Sequence, residues 1–149
     1  SEYAIKDNLQ EEMLRILLKR FIILCTRIAR EKFSVSPERE KAFDMVRQFY
    51  VLVDNHFKEK KMVQDYADML HRSPKTLSNL FTTCGLPSPL RIIHERIEAE
   101  AKRLLLYSQK SAKEITEILG FEDQATFSRF FKKMTGESVS EYRKREKRE

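Results

Sequence analysis

Leu77-Ser-Asn-Leu-Phe81 returns, 50 residues later, as Phe127-Ser-Arg-Phe-Phe131. Each stretch sets large apolar side chains at helical spacing and leaves small or polar ones between them. The likeness extends outward. Leu70 and Leu119 precede the two stretches at an offset of 49, and Gly85 and Gly136 close them at an offset of 51. One short helix pair of this kind is common. Two in register, joined by one longer helix, are a far narrower pattern.

Around the first stretch, Met62–Leu70 reads as a short amphipathic helix, His71-Arg72-Ser73 as a turn, and Pro74–Thr83 as a second helix ended by Gly85. Pro87 and Pro89 set up a longer helix that runs to about Tyr107. After Ser108–Ser111 the pattern repeats: a helix Ala112–Leu119, a Gly120-Phe121 turn, and a helix Asp123–Thr135 closed by Gly136. A last helix is expected from near Ser138 into the charged tail. The two units thus cover about 62–85 and 111–136, with a linker helix over about 89–107.

Farther upstream, Ser36-Pro37 is a helix start, a hydroxyl cap followed by proline where a missing N–H costs nothing. That helix is expected to reach about Lys60, with Phe43, Val46, Phe49, Tyr50 and Val53 inward. The boundary between an N-terminal segment, 1–35, and a tandem domain, 36–149, is placed in the linker at Phe33–Pro37. Before it, roughly Leu9 to Lys32 forms one long helix whose polar positions Arg15, Lys19, Thr26 and Arg30 fall near one line. Its apolar arc is much wider than the roughly 100° of an ordinary surface helix. Cover on two sides is therefore expected, either wholly from its own domain or partly from a second copy. Leu14, Leu17, Leu18, Phe21, Ile22, Cys25 and Ile28 are the candidates for a homodimer contact.

Composition narrows the class. Three glycines and four prolines in 149 residues are too few for an all-β sandwich or barrel and leave no Gly-rich phosphate loop, so the fold class is all-α. Lys and Arg number 29 against 23 Asp and Glu, a net charge of +6 that suits a polyanionic partner without requiring one. Cys25 and Cys84 match no metal or redox spacing and are expected as buried free thiols. The apolar run Met13–Ile28 carries Arg15, Lys19, Arg20 and Arg27, too many charges for a membrane span. With no signal-peptide pattern, the expectation is a soluble protein of a reducing compartment, with no membrane partner. His56, His71 and His94 are the only histidines and show no metal-ligand spacing. No catalytic residue, metal site or cofactor is expected, and the chain is not read as an enzyme.

A helix–turn–helix places its second helix in the DNA major groove and braces it with the first. Both units fit: Leu77, Leu80 and Phe81 face in while Lys75, Ser78 and Asn79 face out; Phe127, Phe130 and Phe131 face in while Gln124, Ala125, Ser128 and Arg129 face out. The linker helix is roughly 28 Å long at 1.5 Å per residue, close to one DNA turn of ~34 Å. Base-contact candidates follow from chemistry. Arg129 offers two donors to guanine, or a phosphate contact; Asn79 and Gln124 suit adenine, Gln124 equally phosphate. Lys75 reaches bases or phosphate, Thr126 and Ser128 allow close approach to either, and Ala125 meets at most a thymine methyl. Arg72, Lys110, Lys132 and Lys133 are phosphate candidates, with plain solvated surface as the alternative. Phe121, Phe127, Phe130 and Phe131 read as core rather than as base-stacking rings, and Tyr142–Glu149 as a solvated helix end. The competing function is a helical interaction or oligomerisation module without specific DNA readout.

The residues themselves resemble a known family. Glu98-Ala-Glu-Ala-Lys-Arg-Leu-Leu-Leu-Tyr107, Glu114-Ile-Thr-Glu-Ile-Leu-Gly-Phe-Glu-Asp123, Phe127-Ser-Arg-Phe-Phe-Lys-Lys133 and Gly136 are similar to the signature of AraC-type transcriptional regulators. Ala67-Asp-Met-Leu-His-Arg-Ser73, Leu77–Phe81, Gly85 and Arg96-Ile97 fit its upstream half. Ser138-Val139 stands where the family usually has Ser-Pro, and Thr116 where a small alanine is common. The resemblance implies a seven-helix module with two helix–turn–helix units on double-stranded promoter DNA, in a bacterial cytoplasm, with RNA polymerase as a further partner. It also implies that 1–35 is the tail of a sensor and dimerisation domain, which makes the chain a piece of a longer regulator.

Overall fold

The computed structural model describes residues 15–29 and 36–146. Among them there are eight helices and no strand. The first, α1, covers residues 15–29. The others are α2 (Pro37–His56), α3 (Val63–Met69), α4 (Pro74–Thr83), α5 (Pro89–Tyr107), α6 (Ala112–Ile118), α7 (Gln124–Thr135) and α8 (Val139–Glu146). No helix among the described residues is long and apolar enough to cross a membrane.

The chain divides into two compact units between Glu40 and Lys41. Leu9–Leu14 and Arg30–Lys32 of the expected N-terminal helix lie outside the described residues, as does candidate Leu14. Within α1, Leu17, Leu18, Phe21, Ile22 and Ile28 are all more than half exposed. The cover expected on two sides of this helix is not among the described residues. Cys25 is likewise exposed, and Cys84 is half-buried at the end of α4. The buried-thiol expectation therefore fails for Cys25, which sits on a helix whose apolar side chains are exposed among the described residues.

The second unit is built on α5. Its Ile92, Ile93, Ile97, Ala101, Leu104 and Leu105 are buried, with α3 and α4 packed on it and α6, α7 and α8 packed on it as well. In the first half, Phe49 of α2 meets Tyr66 of α3 and Phe81 of α4 edge-on, with ring centroids 5.6 and 4.9 Å away. In the second half, Phe127 and Phe131 of α7 are fully buried with Ile115 and Leu119, and Tyr142 of α8 closes on Phe131 at 5.4 Å. Each such aromatic side chain contributes roughly 2–3 kcal/mol by leaving water. Phe127, Phe130 and Phe131 thus belong to the core or its edge. Phe43 and Tyr50 depart from the inward expectation, being 54% and 40% exposed. The buried part of α2 begins only at Val46, and Tyr50 keeps one edge on Phe49 and Phe81 while the other faces water.

Helix starts are set locally. Ser73, Ser88 and Ser111 each accept a hydrogen bond from the backbone N–H three residues on, and Asp123 does the same from Thr126. Ser138 does so for Glu141, whose carboxylate accepts the Ser138 N–H in return at 2.7 Å. That reciprocal box starts α8 without a proline at position 139. Thr116, buried, turns its hydroxyl back to the Ala112 carbonyl at 2.8 Å and so fits where a smaller residue is common.

The drifting offset of the repeat has a structural cause. Both first helices end in the same double closure: His71 and Arg72 N–H donate to Asp68 and Ala67, and Gly120 and Phe121 N–H donate to Glu117 and Thr116. The second turn then holds one more residue before its cap, Asp123 instead of Ser73, and α7 is two residues longer than α4. Helix α2 ends at His56 rather than near Lys60, because Glu59 and Lys60 N–H both turn back to the His56 carbonyl.

Candidate nucleic-acid interface

Helix α4 buries Leu77 and Phe81 and half-buries Leu80, which leaves Lys75, Thr76, Ser78, Asn79, Thr82 and Thr83 exposed. Helix α7 buries Phe127 and Phe131 and half-buries Phe130 against His94, their rings 5.3 Å apart. Gln124, Ala125, Arg129, Lys132 and Lys133 are exposed, while Thr126 and Ser128 are half-buried. The outward stripes correspond at the repeat's offset of 50: Lys75 with Ala125, Ser78 with Ser128, Asn79 with Arg129, and Thr82 with Lys132. Positions i, i+3, i+4 and i+7 share one side of a helix. Thr82 belongs to this stripe and was not among the sequence candidates; its spacing from Asn79, and from Lys132, was the available signal.

The candidates differ in what already holds them. Arg129 donates from Nη2 to Thr126 Oγ1 at 3.3 Å, so the Thr126 hydroxyl steadies the guanidinium rather than standing free. The Asp123 carboxylate accepts the Thr126 N–H at 2.7 Å. That bond, reinforced by the Thr126 hydroxyl and by the nearby Arg129 charge, holds Asp123 below the usual carboxylate range. Thr82 and Thr83 fold their hydroxyls onto the Ser78 and Asn79 carbonyls. The side chains of Lys75, Asn79 and Gln124 make no hydrogen bond or ion pair among the described residues.

Arg72 stands exposed in the turn before α4, its Nη1 3.3 Å from the His71 carbonyl. Lys132 and Lys133 occupy the last turn of α7. Lys133 also acts on His94, whose pKa falls first through burial and then through the Lys133 charge. Lys110 lies on neither recognition helix but in the loop before α6, where its carbonyl accepts from Arg143 of α8. The structure thus gathers the base-contact candidates on two helix faces and leaves Lys110 apart from both. Among the described residues no three His, Cys, Asp or Glu side chains are placed to hold a metal ion.

The sequence family described as a helix-turn-helix domain matches residues 66–145, more than half of the chain. The chain is 30% identical over 122 residues to the uncharacterised HTH-type transcriptional regulator YisR of Bacillus subtilis, a match that covers 81% of this chain and 41% of that protein. It therefore spans less than half the length of that relative. Among solved structures it is similar to the C-terminal domain of AraT, a response regulator from Geobacillus stearothermophilus. That match has a TM-score of 0.62 and 29% identity, over 67% of this chain and 84% of that one. A transcriptional regulator from Chromobacterium violaceum, described among AraC-type DNA-binding domain-containing proteins, shares the fold at TM-score 0.60 and 20% identity, over 72% of this chain and 96% of that one. Two helix–turn–helix units on one linker helix, inside a family match that runs from α3 to α8, place the chain in the AraC-type helix-turn-helix family.

Proposed function

We infer that this chain reads double-stranded promoter DNA with α4 and α7, set into two adjacent major grooves on one face of the duplex. The observation that carries this reading is the doubled stripe: Lys75, Ser78, Asn79 and Thr82 on one helix, and Ala125, Ser128, Arg129 and Lys132 on the other, each opposite a buried apolar face. Arg129 is the main base reader, directed at guanine O6 and N7 and steadied by Thr126. Asn79 reads adenine, while Lys75, Gln124 and Ser128 complete the base contacts and Ala125 leaves room for a thymine methyl. Arg72, Lys110, Lys132 and Lys133 hold phosphates and fix register without reading sequence.

Residues 36–149 are on this view the DNA-binding domain, and 1–35 end a sensor domain. The exposed apolar face of α1, with Leu17, Leu18, Phe21, Ile22, Cys25 and Ile28, pairs with the same face of a second copy. The protein works as a homodimeric transcription regulator in a bacterial cytoplasm, by binding rather than catalysis, and acts on RNA polymerase at its promoter.

The test is selection of bound sites from random duplex DNA at ~0.15 M salt, comparing wild type with Arg129→Ala. Two information-rich blocks about one helical turn apart are expected, with preference lost in one block for the variant. Oligomerisation with no enriched motif would favour the interaction-module reading instead.

A further inference from the structure

We propose that residues 57–61, in the loop between α2 and α3, are a second brace between the two helix–turn–helix units. Through Lys61 and Gly120 it fixes the spacing of DNA blocks that the protein accepts. The proposal rests on the DNA-reading function above. Helix α5 is the first connection, since both units pack on it. A single shared helix leaves rotation about its own axis as the softest motion between the units. A contact away from that axis removes it.

The loop makes such a contact. On the side of the first unit, Phe57 is buried beneath the Arg96 guanidinium of α5, 4.1 Å from its ring centroid. Arg96 is itself held by Asp54 of α2 at 2.6 Å. The Tyr66 phenol of α3 donates to the Lys60 carbonyl at 2.7 Å. Its pKa is pushed up to about 12, chiefly by burial and then by Asp65 and Glu59, so the phenol keeps its proton. Tyr66 and Phe81 of α4 both pack on Phe49, which connects the loop to the first recognition helix.

On the side of the second unit, Lys61 Nζ donates to the Lys58 carbonyl at 2.6 Å and stands 5.1 Å from the Phe121 ring centroid. Phe121 meets Phe127 and Phe130 of α7 at 5.4 and 5.3 Å. Gly120 lies so close to the loop that a Cβ there would come 1.9 Å from the Lys58 oxygen and 3.1 Å from Lys61 Nζ. Backbone therefore meets backbone at this point, with a lysine ammonium closing the seam. The path Phe81, Phe49, Tyr66, loop, Lys61, Phe121, Phe127 joins the two recognition helices without passing through α5.

One inserted base pair between the DNA blocks turns the second block by about 34° at 10.5 base pairs per turn. Units free to rotate about α5 would follow it; braced units cannot. Binding is compared on duplexes carrying the selected site with its natural spacer and with one base pair inserted, for wild type, Lys61→Met and Lys61→Arg. Methionine keeps an unbranched apolar stem and removes the ammonium; arginine restores a cationic donor.

Wild type is expected to lose ~100-fold in affinity on the inserted duplex, within the range for a mismatched site. Lys61→Met is expected to reduce that penalty by about tenfold, or 1.4 kcal/mol, while natural-spacer affinity changes less than about threefold; Lys61→Arg recovers the penalty. Thermal unfolding run beside the binding separates a folded variant from an unfolded one. Should Lys61→Met unfold, Phe121→Leu, which removes the aromatic face under the ammonium, takes its place with the same expected relaxation. A folded variant that keeps the full penalty overturns the brace and leaves the DNA reading standing. A wild-type protein that selects no two-block site overturns the DNA reading, and this proposal with it.

Discussion

His71 and Gly120 occupy the same place in the two helix–turn–helix turns, both left-handed, at φ 53° and 70°, and only one of them is glycine. Each follows the C-cap of its first helix, Leu70 or Leu119, and donates its N–H to the carbonyl three residues back, Asp68 or Glu117. The surroundings differ. His71 is exposed, whereas a side chain at Gly120 would run into the Lys58 carbonyl.

The two positions should therefore respond in opposite ways to substitution. A left-handed L-residue costs about 1–2 kcal/mol, and glycine returns about 0.5–1 kcal/mol of that through the freer unfolded chain. His71→Gly is expected to stabilise by about 0.5–1 kcal/mol, visible as a rise of a few degrees in melting temperature. Gly120→Ala adds both the backbone strain and the collision, and is expected to destabilise by at least ~2 kcal/mol. Urea unfolding of both variants checks the signs, and equal signs would contradict the difference between the turns.

Acid should loosen the starts of α6, α7 and α8 before the core around them. Backbone N–H bonds hold the carboxyls of Asp123, Glu114 and Glu141 below the usual carboxylate range, with the Thr126, Ser111 and Ser138 hydroxyls and nearby basic residues adding to the effect. A carboxyl depressed by folding stabilises above its unfolded pKa of about 4, and that contribution disappears as pH falls through the lower folded value. Melting temperature is thus expected to decline below about pH 4. Combining Asp123→Asn, Glu114→Gln and Glu141→Gln should flatten that decline while keeping polar caps. Superimposable acid limbs for the two proteins would remove the caps from the account.

The repeat and its helix starts were legible because they are local. Ser73-Pro74, Ser88-Pro89 and Ser111 announce their helices within four residues, and the buried positions of α4 and α7 follow from apolar spacing alone. The loop at 57–61 was not legible. Its form depends on Lys58 meeting Gly120 and on Arg96 pairing with Asp54, 42 residues away, and no periodicity encodes such pairs. The same holds for Thr126: its place on α7 was readable, but its bond to Arg129 depends on a rotamer. Phe43 and Tyr50 were misread because helical phase identifies a face without saying how far along it the core extends.

Base reading and phosphate holding should separate between Arg129 and Lys132, one turn apart on α7. Arg129→Ala is expected to weaken binding to the selected site by about 1–3 kcal/mol and to relax preference at the base it reads. Lys132→Ala should weaken all sequences alike and reduce the log–log salt slope by about 1. Titrations at several salt concentrations, on matched and mismatched duplexes, distinguish the two. An Arg129→Ala protein that keeps its discrimination and loses only salt slope would move Arg129 to the phosphate group.

The exposed face of α1 carries the expectation of self-association. Phe21 is 64% exposed, and Leu17, Leu18, Ile22 and Ile28 are exposed beside it. A contiguous apolar surface of this kind is costly in water, and a second copy of the same helix offers a match in chemistry and length. Phe21→Glu combined with Ile28→Glu sets charge into such a contact, and burying an unpaired carboxylate costs several kcal/mol. The dimer dissociation constant should rise by at least about tenfold, read by sedimentation velocity across a concentration series. Helix content and melting temperature of residues 36–149 should stay unchanged, since their core contains none of the altered side chains. A wild-type chain that sediments as a monomer at every concentration would show that α1 does not pair, whatever the variant does.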